Sequence, residues 1–201
     1  MLAIIDYGVG NLFSLNASLN FLGAPVTITG DPDEIRRADR LILPGVGAFG
    51  DAMDKLRATG LDRVLREEAD RGKPLLGICL GMQMLFESSD EYGLHEGLGL
   101  VPGRVTALAP RIPGEFKIPH MGWNKLDLRG ADPLFAGMAP GSYVYYVHSY
   151  FATDCDAHTT ATSWYGIPVT GAVRKGNVAG TQFHPEKSGP AGLGILKAFL
   201  E

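Results

Sequence analysis

The sequence predicts a single α/β domain, built as a three-layer structure around an open, mostly parallel sheet with helices on both faces and antiparallel strands added in the C-terminal half. In the first half, apolar β-type runs alternate with helical segments, which is typical of parallel βαβ units. In the second half, short β-type segments follow one another between Gly and Pro turns, as in antiparallel hairpins. The 201 residues, 45% hydrophobic and 20% charged, suffice for one core, and no repeat or long linker divides them.

The elements of the first half follow from apolar runs and the turn residues between them. Asn11 can cap a helix that extends to Leu22, because leucines recur on one face of that segment and Gly23 ends it. The predicted strands are Leu2–Asp6, Val26–Thr29, Leu41–Leu43 and Pro74–Cys79. The other predicted helices are Ile35–Ala38, Phe49–Thr59, Leu61–Arg71 and Met82–Glu87.

The second half is predicted to add strands and one closing helix. An acidic, glycine-rich segment, Glu87–Gly99, separates it from the first half and is predicted to be a mobile loop. The chain closes with an amphipathic helix over Gly192–Leu200. The predicted strands are Val101–Ala107, Lys125–Leu128, Tyr143–Tyr150, Thr159–Trp164, Val169–Arg174 and Val178–Phe183.

Composition and charge exclude several classes of function. The net charge of −4, without a Lys/Arg cluster, argues against nucleic acid or an anionic membrane as the main partner. The two cysteines form no C-x-x-C pair, so we expect a reduced, cytoplasmic setting rather than a disulfide framework. The N-terminal apolar run lacks a basic start and predicts a strand rather than a signal peptide. No run approaches the length of a membrane span.

The most informative motif is Gly77-Ile78-Cys79-Leu80-Gly81, which lies between a predicted strand and a predicted helix. A G-x-nucleophile-x-G pattern at such a turn is a nucleophile elbow, here with sulfur in place of a serine oxygen. The free N–H groups and dipole of a helix N-terminus favour the thiolate, which is the reactive form of cysteine. A small buried cysteine in a core strand is the alternative interpretation.

A cysteine nucleophile needs a base, and His184 is the best candidate among the five histidines. It follows the predicted strand Val178–Phe183, and Glu186 lies two residues further, on the same side of an extended segment. These residues would form a Cys–His–Glu relay in which the acid orients the imidazole. Taken alone, the His-Pro-Glu sequence favours a surface turn with a solvated pair; the relay becomes the better interpretation only together with the cysteine elbow.

Acyl chemistry also requires N–H donors for an oxyanion. The N–H of Leu80, at the head of the elbow helix, supplies one. The loop Pro44–Gly47 ends a neighbouring predicted strand, and its glycines allow a second N–H, that of Gly47, to turn into the site. Gln83 lies one helical turn after Cys79 and would face the same pocket, although a surface glutamine is the default.

The other histidines are not predicted to transfer protons. His120 and His148 are expected to shape the pocket or an interface, and His95 and His158 to lie at the surface. Because none has metal-ligand spacing with a cysteine or another histidine, we predict no metal and no cofactor. Cys155, flanked by two aspartates, is not expected to be a second nucleophile.

Together these motifs resemble the class I glutamine amidotransferases, end to end and in the same order. The resemblance is carried by Gly77–Gln83, by Pro44–Gly47 and by the segment Gln182–Ser188. Three further segments resemble the glutaminase subunits of imidazole glycerol phosphate synthases, from histidine biosynthesis. They are Asp6–Leu12, Lys117–Asn124 and Tyr145–Tyr150. The resemblance implies a flavodoxin-like sheet.

The resemblance also implies a role for each matching residue. Cys79 would attack the side-chain amide of glutamine, His184 would transfer protons, and Glu186 would orient His184. The N–H groups of Gly47 and Leu80 would bind the oxyanion. Gln83, with the backbone of Ser149 and Tyr150, would hold the glutamine.

The implied partner is a (β/α)₈-barrel cyclase subunit in a heterodimer. This subunit would receive the ammonia and make imidazole glycerol phosphate and aminoimidazole carboxamide ribonucleotide. Four residues would face it, each with a plainer alternative: Asn11 as a helix cap, Trp123 and Tyr145 as core, and Lys187 as a solvated side chain.

Two other interpretations remain. The chain would serve another synthase of the same class, making anthranilate, aminodeoxychorismate or pyridoxal phosphate, although Lys117–Asn124 favours the first interpretation. Alternatively, it would be a redox or binding protein of similar shape, which does not require Cys79, His184 and Glu186 to occur together.

Overall fold

The computed structural model describes residues 1–201. Its helices are α1 Leu12–Phe21, α2 Pro32–Arg37, α3 Phe49–Ala58, α4 Leu61–Asp70, α5 Leu80–Met84 and α6 Gly189–Leu200. Its strands are β1 Leu2–Ile5, β2 Val26–Thr29, β3 Arg40–Leu43, β4 Leu75–Ile78, β5 Ser88–Ser89, β6 His95–Glu96, β7 Arg104–Ala107, β8 His120–Lys125, β9 Asp127–Leu128, β10 Tyr143–His148, β11 Tyr150–Thr153, β12 Thr159–Trp164, β13 Pro168–Lys175 and β14 Val178–Thr181. Single 3₁₀ turns occur at Pro133–Phe135, Asp156–His158 and Pro185–Lys187.

An eight-stranded sheet, in the order β2-β1-β3-β4-β14-β13-β12-β9, forms the centre of the molecule. The first five strands in this order are parallel, and the last three continue it as antiparallel neighbours. This confirms the predicted mixed α/β class. The carboxyl ends of β3, β4 and β14 lie side by side, which brings the segments after Leu43, Ile78 and Thr181 to one edge.

The two faces of this sheet bury alternate residues of the same strands. In β1, Ala3 and Ile5 pack with α2, α3, α4 and α5, whereas Leu2 and Ile4 pack with α1 and α6. Because neighbouring side chains of a strand point to opposite faces, a four-residue apolar strand requires helices on both sides. The α1 helix begins where Asn11 accepts a hydrogen bond from the Ser14 N–H.

The remaining strands form two smaller sheets that the sequence did not resolve. β8 and β10 form an antiparallel ribbon, while β11, β7, β5 and β6 form a separate four-stranded sheet. The predicted strand Tyr143–Tyr150 therefore divides at Ser149 between these two sheets. The ribbon strand β8 was not predicted except for its last residue, because the predicted strand Lys125–Leu128 overlaps β8 at Lys125 and then includes β9.

Two other predictions need correction. The segment Glu87–Gly99, predicted as a loop, contains β5 and β6, and its Glu87 carboxylate accepts a hydrogen bond from the Gly103 N–H. The helix after the elbow starts at Leu80 and ends at Met84, earlier than predicted, since residues 85–87 form a turn that leads into β5. None of the helices has the length and apolar character needed to cross a bilayer.

Candidate active site

Cys79 occupies a tight turn between β4 and α5. Its backbone has φ 56° and ψ −111°, a left-handed conformation that a residue with a side chain adopts only at an energetic cost of about 1–3 kcal/mol. A Cβ at Gly77 would lie 2.6 Å from the Gly81 carbonyl oxygen, and one at Gly81 would lie 1.8 Å from that of Leu43. Both glycines are therefore required by the close backbone approach that presents the cysteine.

Cys79 lies in a cavity of about 350 Å³ at the carboxyl edge of the parallel strands. The cysteine is 7% exposed and contributes to the wall of this cavity. Seven residues selected from the sequence line the cavity: Gly47, Cys79, Leu80, Gln83, Ser149, Tyr150 and His184. Such convergence of polar groups around one cysteine is typical of a substrate site.

His184 follows β14 and is held by Glu186. Nδ1 of His184 lies 2.8 Å from Oε1 of Glu186, and both side chains are buried. Burial lowers the pKa of His184, but attraction to the neighbouring Cys79 and Glu186 side chains outweighs it and raises this pKa to about 10. Nε2 of His184 has no hydrogen-bond partner in the chain. This nitrogen is therefore available for proton transfer inside the cavity.

The loop Pro44–Gly47 is anchored beside the elbow. The Tyr7 hydroxyl donates a buried hydrogen bond of 2.8 Å to the Pro44 carbonyl oxygen. Burial, together with the charge of Cys79, raises the pKa of Tyr7, which keeps this hydroxyl protonated as a donor. Gly47 has φ 91°, and its N–H donates no hydrogen bond within the chain. The loop thus offers the cavity a free backbone donor.

Gln182 is a site residue to which the sequence assigned no role. Its Nε2 lies 3.8 Å from the sulfur of Cys79, and its Oε1 accepts a hydrogen bond of 2.9 Å from Nε2 of Gln83. Nε2 of Gln83 also donates to the Tyr150 carbonyl oxygen at 2.9 Å. The Gln83 amide therefore braces the wall of the cavity, and its Oε1 remains as an acceptor. In the sequence, the one sign that Gln182 belongs to the site is its position two residues before His184.

Glu91 is a second residue that the sequence did not select. It lines the cavity although it belongs to the segment predicted as a mobile loop. Its Oε2 accepts a hydrogen bond of 2.7 Å from the Phe49 N–H, and burial raises its pKa. It is the one acidic side chain lining the cavity. No local pattern distinguishes this glutamate from its acidic neighbours in the sequence.

The four residues predicted to face a partner lie around the turn that carries His184. Trp123 is 56% exposed, and its ring stands edge-on to that of Tyr145, with centroids 6.0 Å apart. Nζ of Lys187 lies 6.0 Å from the centroid of the Tyr145 ring. Asn11 caps α1 and also lines a small void against His184 and Glu186. The exposed Met121 and Tyr143 extend this face along the β8–β10 ribbon with further large hydrophobic side chains.

The family model described as glutamine amidotransferase class-I matches residues 3–201 of this chain. Two curated relatives have the name imidazole glycerol phosphate synthase subunit HisH. The protein from Listeria monocytogenes is 51% identical over 201 residues, covering 100% of this chain and 95% of its own length. The one from Bacillus cereus is 54% identical over 199 residues, covering 99% and 93%.

Solved structures share the fold at low identity. PurLQS from Thermotoga maritima superposes with a TM-score of 0.77 at 21% identity, covering 99% of this chain and 96% of that one. A glutamine amidotransferase, also from Thermotoga maritima, gives a TM-score of 0.71 at 15% identity, covering 100% and 96%. These two likenesses concern the architecture only.

Proposed function

The chain belongs to the class-I glutamine amidotransferase family, and we propose that it is the glutaminase subunit of an imidazole glycerol phosphate synthase. In this role it hydrolyses L-glutamine to glutamate and ammonia for histidine biosynthesis. The observation that carries the proposal is the elbow cysteine in a cavity that also contains His184, which is held by Glu186. The full-length relatives select this synthase over those that make anthranilate, aminodeoxychorismate or pyridoxal phosphate.

The cavity supplies complementary groups for each end of glutamine. The Glu91 carboxylate pairs with the α-ammonium group, because it is the negative side chain of the cavity wall. The backbone of Ser149 and Tyr150 and Oε1 of Gln83 hold the rest of the amino acid. The side-chain amide then reaches the sulfur of Cys79 at the elbow.

The reaction begins with attack of the Cys79 thiolate on the amide carbon. The carbonyl oxygen becomes an oxyanion, which the N–H groups of Leu80 and Gly47 stabilise. The raised pKa of His184 means that the imidazole holds a proton at neutral pH. His184 gives this proton to the departing nitrogen, the C–N bond breaks, and ammonia leaves a glutamyl thioester.

Hydrolysis of the thioester reverses the direction of proton transfer. His184, now neutral, takes a proton from water as the water oxygen attacks the thioester carbon. The C–S bond breaks, glutamate leaves, and the thiolate and imidazolium are regenerated. Glu186 holds Nδ1 of His184 through both steps, so Nε2 always faces the reacting atoms.

The ammonia is passed to a (β/α)₈-barrel cyclase subunit in a heterodimer. This partner docks on the exposed face that contains Trp123, Tyr145 and Lys187, with Asn11 at its margin. Large aromatic side chains exposed next to a basic one are typical of a docking surface. Transfer across a closed interface prevents ammonia from being protonated in bulk water. We place the complex in the cytoplasm, consistent with two free cysteines.

Replacement of each cysteine in turn tests the nucleophile. In the complex with the cyclase subunit, Cys79→Ala should release no ammonia from glutamine, because the thioester cannot form. Cys155→Ala is the matched control, since Cys155 is also buried but lies outside the cavity. Both variants should fold and bind the partner. Ammonia release by Cys79→Ala at the native rate would contradict the assignment.

Titration with the partner tests the assignment to this synthase. Glutamine turnover by the isolated chain should be slow and should rise when the cyclase, loaded with its ribonucleotide ligand, is added. Full activity of the isolated chain, or activation only by a chorismate-using or pyridoxal phosphate-forming subunit, would contradict it.

A further inference from the structure

Two buried histidines outside the proposed relay form a continuous chain of hydrogen bonds to the cavity wall. Nδ2 of Asn124 lies 3.2 Å from Nε2 of His120, and Nδ1 of His120 lies 2.9 Å from Nε2 of His148. Nδ1 of His148 lies 2.8 Å from the Tyr150 carbonyl oxygen, which also accepts the hydrogen bond from Gln83. The chain thus connects β8 to the segment that lines the glutamine site.

The direction of every hydrogen bond in this chain is fixed by its two ends. The Tyr150 carbonyl can only accept, so Nδ1 of His148 is the donor and its Nε2 is an acceptor. At the other end, Nδ2 of Asn124 donates to the Trp164 carbonyl oxygen at 3.0 Å, which places the amide nitrogen towards His120. His120 must then donate through Nδ1 and accept through Nε2. Both rings are therefore neutral Nδ1–H tautomers.

A proton added to either ring would place two donors face to face. Burial lowers the pKa of His120 to about 4, and burial with the charge of His120 lowers that of His148 to about 3. The His120 ring is also stacked between Tyr146 and Tyr165, with centroids 4.5 and 3.9 Å away. The pair is a rigid, uncharged element at neutral pH.

We propose that His120 and His148 are positioning residues for glutamine binding, a role that rests on the proposed glutaminase function. His148 fixes the Tyr150 carbonyl against Gln83, and His120 fixes the tautomer of His148. His120 does not line the cavity, so it acts on the substrate only through His148. Without the His120 donor, the Nε2 acceptor of His148 is unpaired in a buried site, and the wall that receives glutamine loses its fixed geometry.

Two substitutions at His120 separate positioning from packing. His120→Phe keeps a flat ring between Tyr146 and Tyr165 but removes the donor. His120→Asn keeps an N–H donor near the Nδ1 position but loses most of the ring contact. We expect the KM for glutamine to rise by about 2- to 10-fold in His120→Phe, as for one lost neutral hydrogen bond, and by less in His120→Asn. Thermal stability should fall less in His120→Phe than in His120→Asn, because only the phenylalanine keeps the ring contacts.

Tyr146→Phe is the matched control. Tyr146 lies on β10 with His148, and the substitution removes the buried hydrogen bond between its hydroxyl and Ser163 of β12 while leaving the histidine chain intact. It should lower thermal stability without changing the KM. A side-chain nitrogen NMR spectrum of the full chain should show His120 and His148 as neutral Nδ1–H tautomers, assigned by loss of their signals in variants.

The measurements are made on the complex with the cyclase subunit, and their outcomes are distinct. The proposal is supported if the KM rises more in His120→Phe, which lacks the N–H donor, than in His120→Asn, which keeps it, whatever the order of their thermal stabilities. A wild-type KM in His120→Phe, a KM that follows stability across the three variants, or an Nε2–H tautomer of either ring overturns it while the glutaminase function stands. A wild-type complex that does not hydrolyse glutamine overturns the proposed function itself.

Discussion

Replacement of Gly192 by alanine tests how the C-terminal helix places the proposed proton-transfer group. Gly192 is buried in α6, where the helix crosses the 3₁₀ turn Pro185–Lys187. A Cβ at this position would lie 1.9 Å from the Pro185 carbonyl oxygen and 2.8 Å from Cβ of Ser188. Pro185 stands between His184 and Glu186 in the chain, so the clash falls on the turn that joins them.

The magnitude follows from this geometry. Relief of the clash requires a displacement of about 1 Å, because nonbonded carbon and oxygen atoms rarely approach within about 3 Å. Overpacking of this kind lowers the free energy of unfolding by about 1–3 kcal/mol, whereas replacement of glycine by alanine in a helix raises it by about 1 kcal/mol. The net loss in the free energy of unfolding is then about 0–2 kcal/mol. A misplacement of about 1 Å at a reacting group reduces the rate by about 100-fold.

Gly194→Ala is the matched control, since it lies in the same helix with nothing within 4 Å of the added Cβ. We expect it to raise the melting temperature by about 2–4 °C, which corresponds to about 1 kcal/mol in a domain of this size, and to leave activity unchanged. Thermal denaturation and glutamine hydrolysis in the complex are measured for both variants.

The expected result is a Gly192→Ala variant that folds but hydrolyses glutamine about 100-fold more slowly than Gly194→Ala. Equal activity of the two variants would refute the reasoning, because α6 would then not determine the position of His184. Loss of activity in both would show instead that the helix tolerates no added methyl group.

Two other changes probe the site directly. Glu186→Gln removes a charge that raises the pKa of His184, so this pKa should fall from about 10 towards 6.5. In the native protein the contribution of this raised pKa to the free energy of unfolding is complete below about pH 6.5 and is lost as the pH rises through about 10. Urea denaturation between these values should therefore depend less on pH in Glu186→Gln, and an unchanged slope would contradict the assigned cause. Tyr7→Phe removes the donor to the Pro44 carbonyl oxygen, which should cost about 1 kcal/mol in urea denaturation and lower glutaminase activity several-fold through the loop that contains Gly47. Native activity in Tyr7→Phe would show that this hydrogen bond does not hold the loop.

Local sequence patterns predicted the parallel half of the molecule closely. The predicted strands Leu2–Asp6, Val26–Thr29 and Leu41–Leu43 differ from β1, β2 and β3 by at most one residue at an end. Each is a short, β-type run with turn residues at both ends. The turn residues next to it in the chain mark where the strand starts and stops, so its bounds can be predicted from local sequence. The elbow could also be predicted from local sequence, since its glycines and its cysteine lie within five consecutive residues.

The antiparallel half was predicted less well because its strands are defined by partners distant in the chain. β8 contains a glycine, a histidine and an asparagine, which give no strand signal by themselves. It is a strand because six of its residues pair with Tyr143–His148. The division of Tyr143–Tyr150 at Ser149 likewise depends on two different partners, β8 and β7.

The sequence by itself determined the chemistry of this protein: a cysteine at an elbow, a His-Pro-Glu turn, a glycine loop, and the family that these motifs identify. Each of these signals lies within a few consecutive residues, where bonded geometry and helix or strand period constrain the chain. Tertiary structure alone decided that Gln182 contacts Cys79 and Gln83, that Glu91 lines the cavity and that His120 meets His148. Those groups come from distant segments, and only the pairing of strands brings their polar atoms within hydrogen-bonding distance.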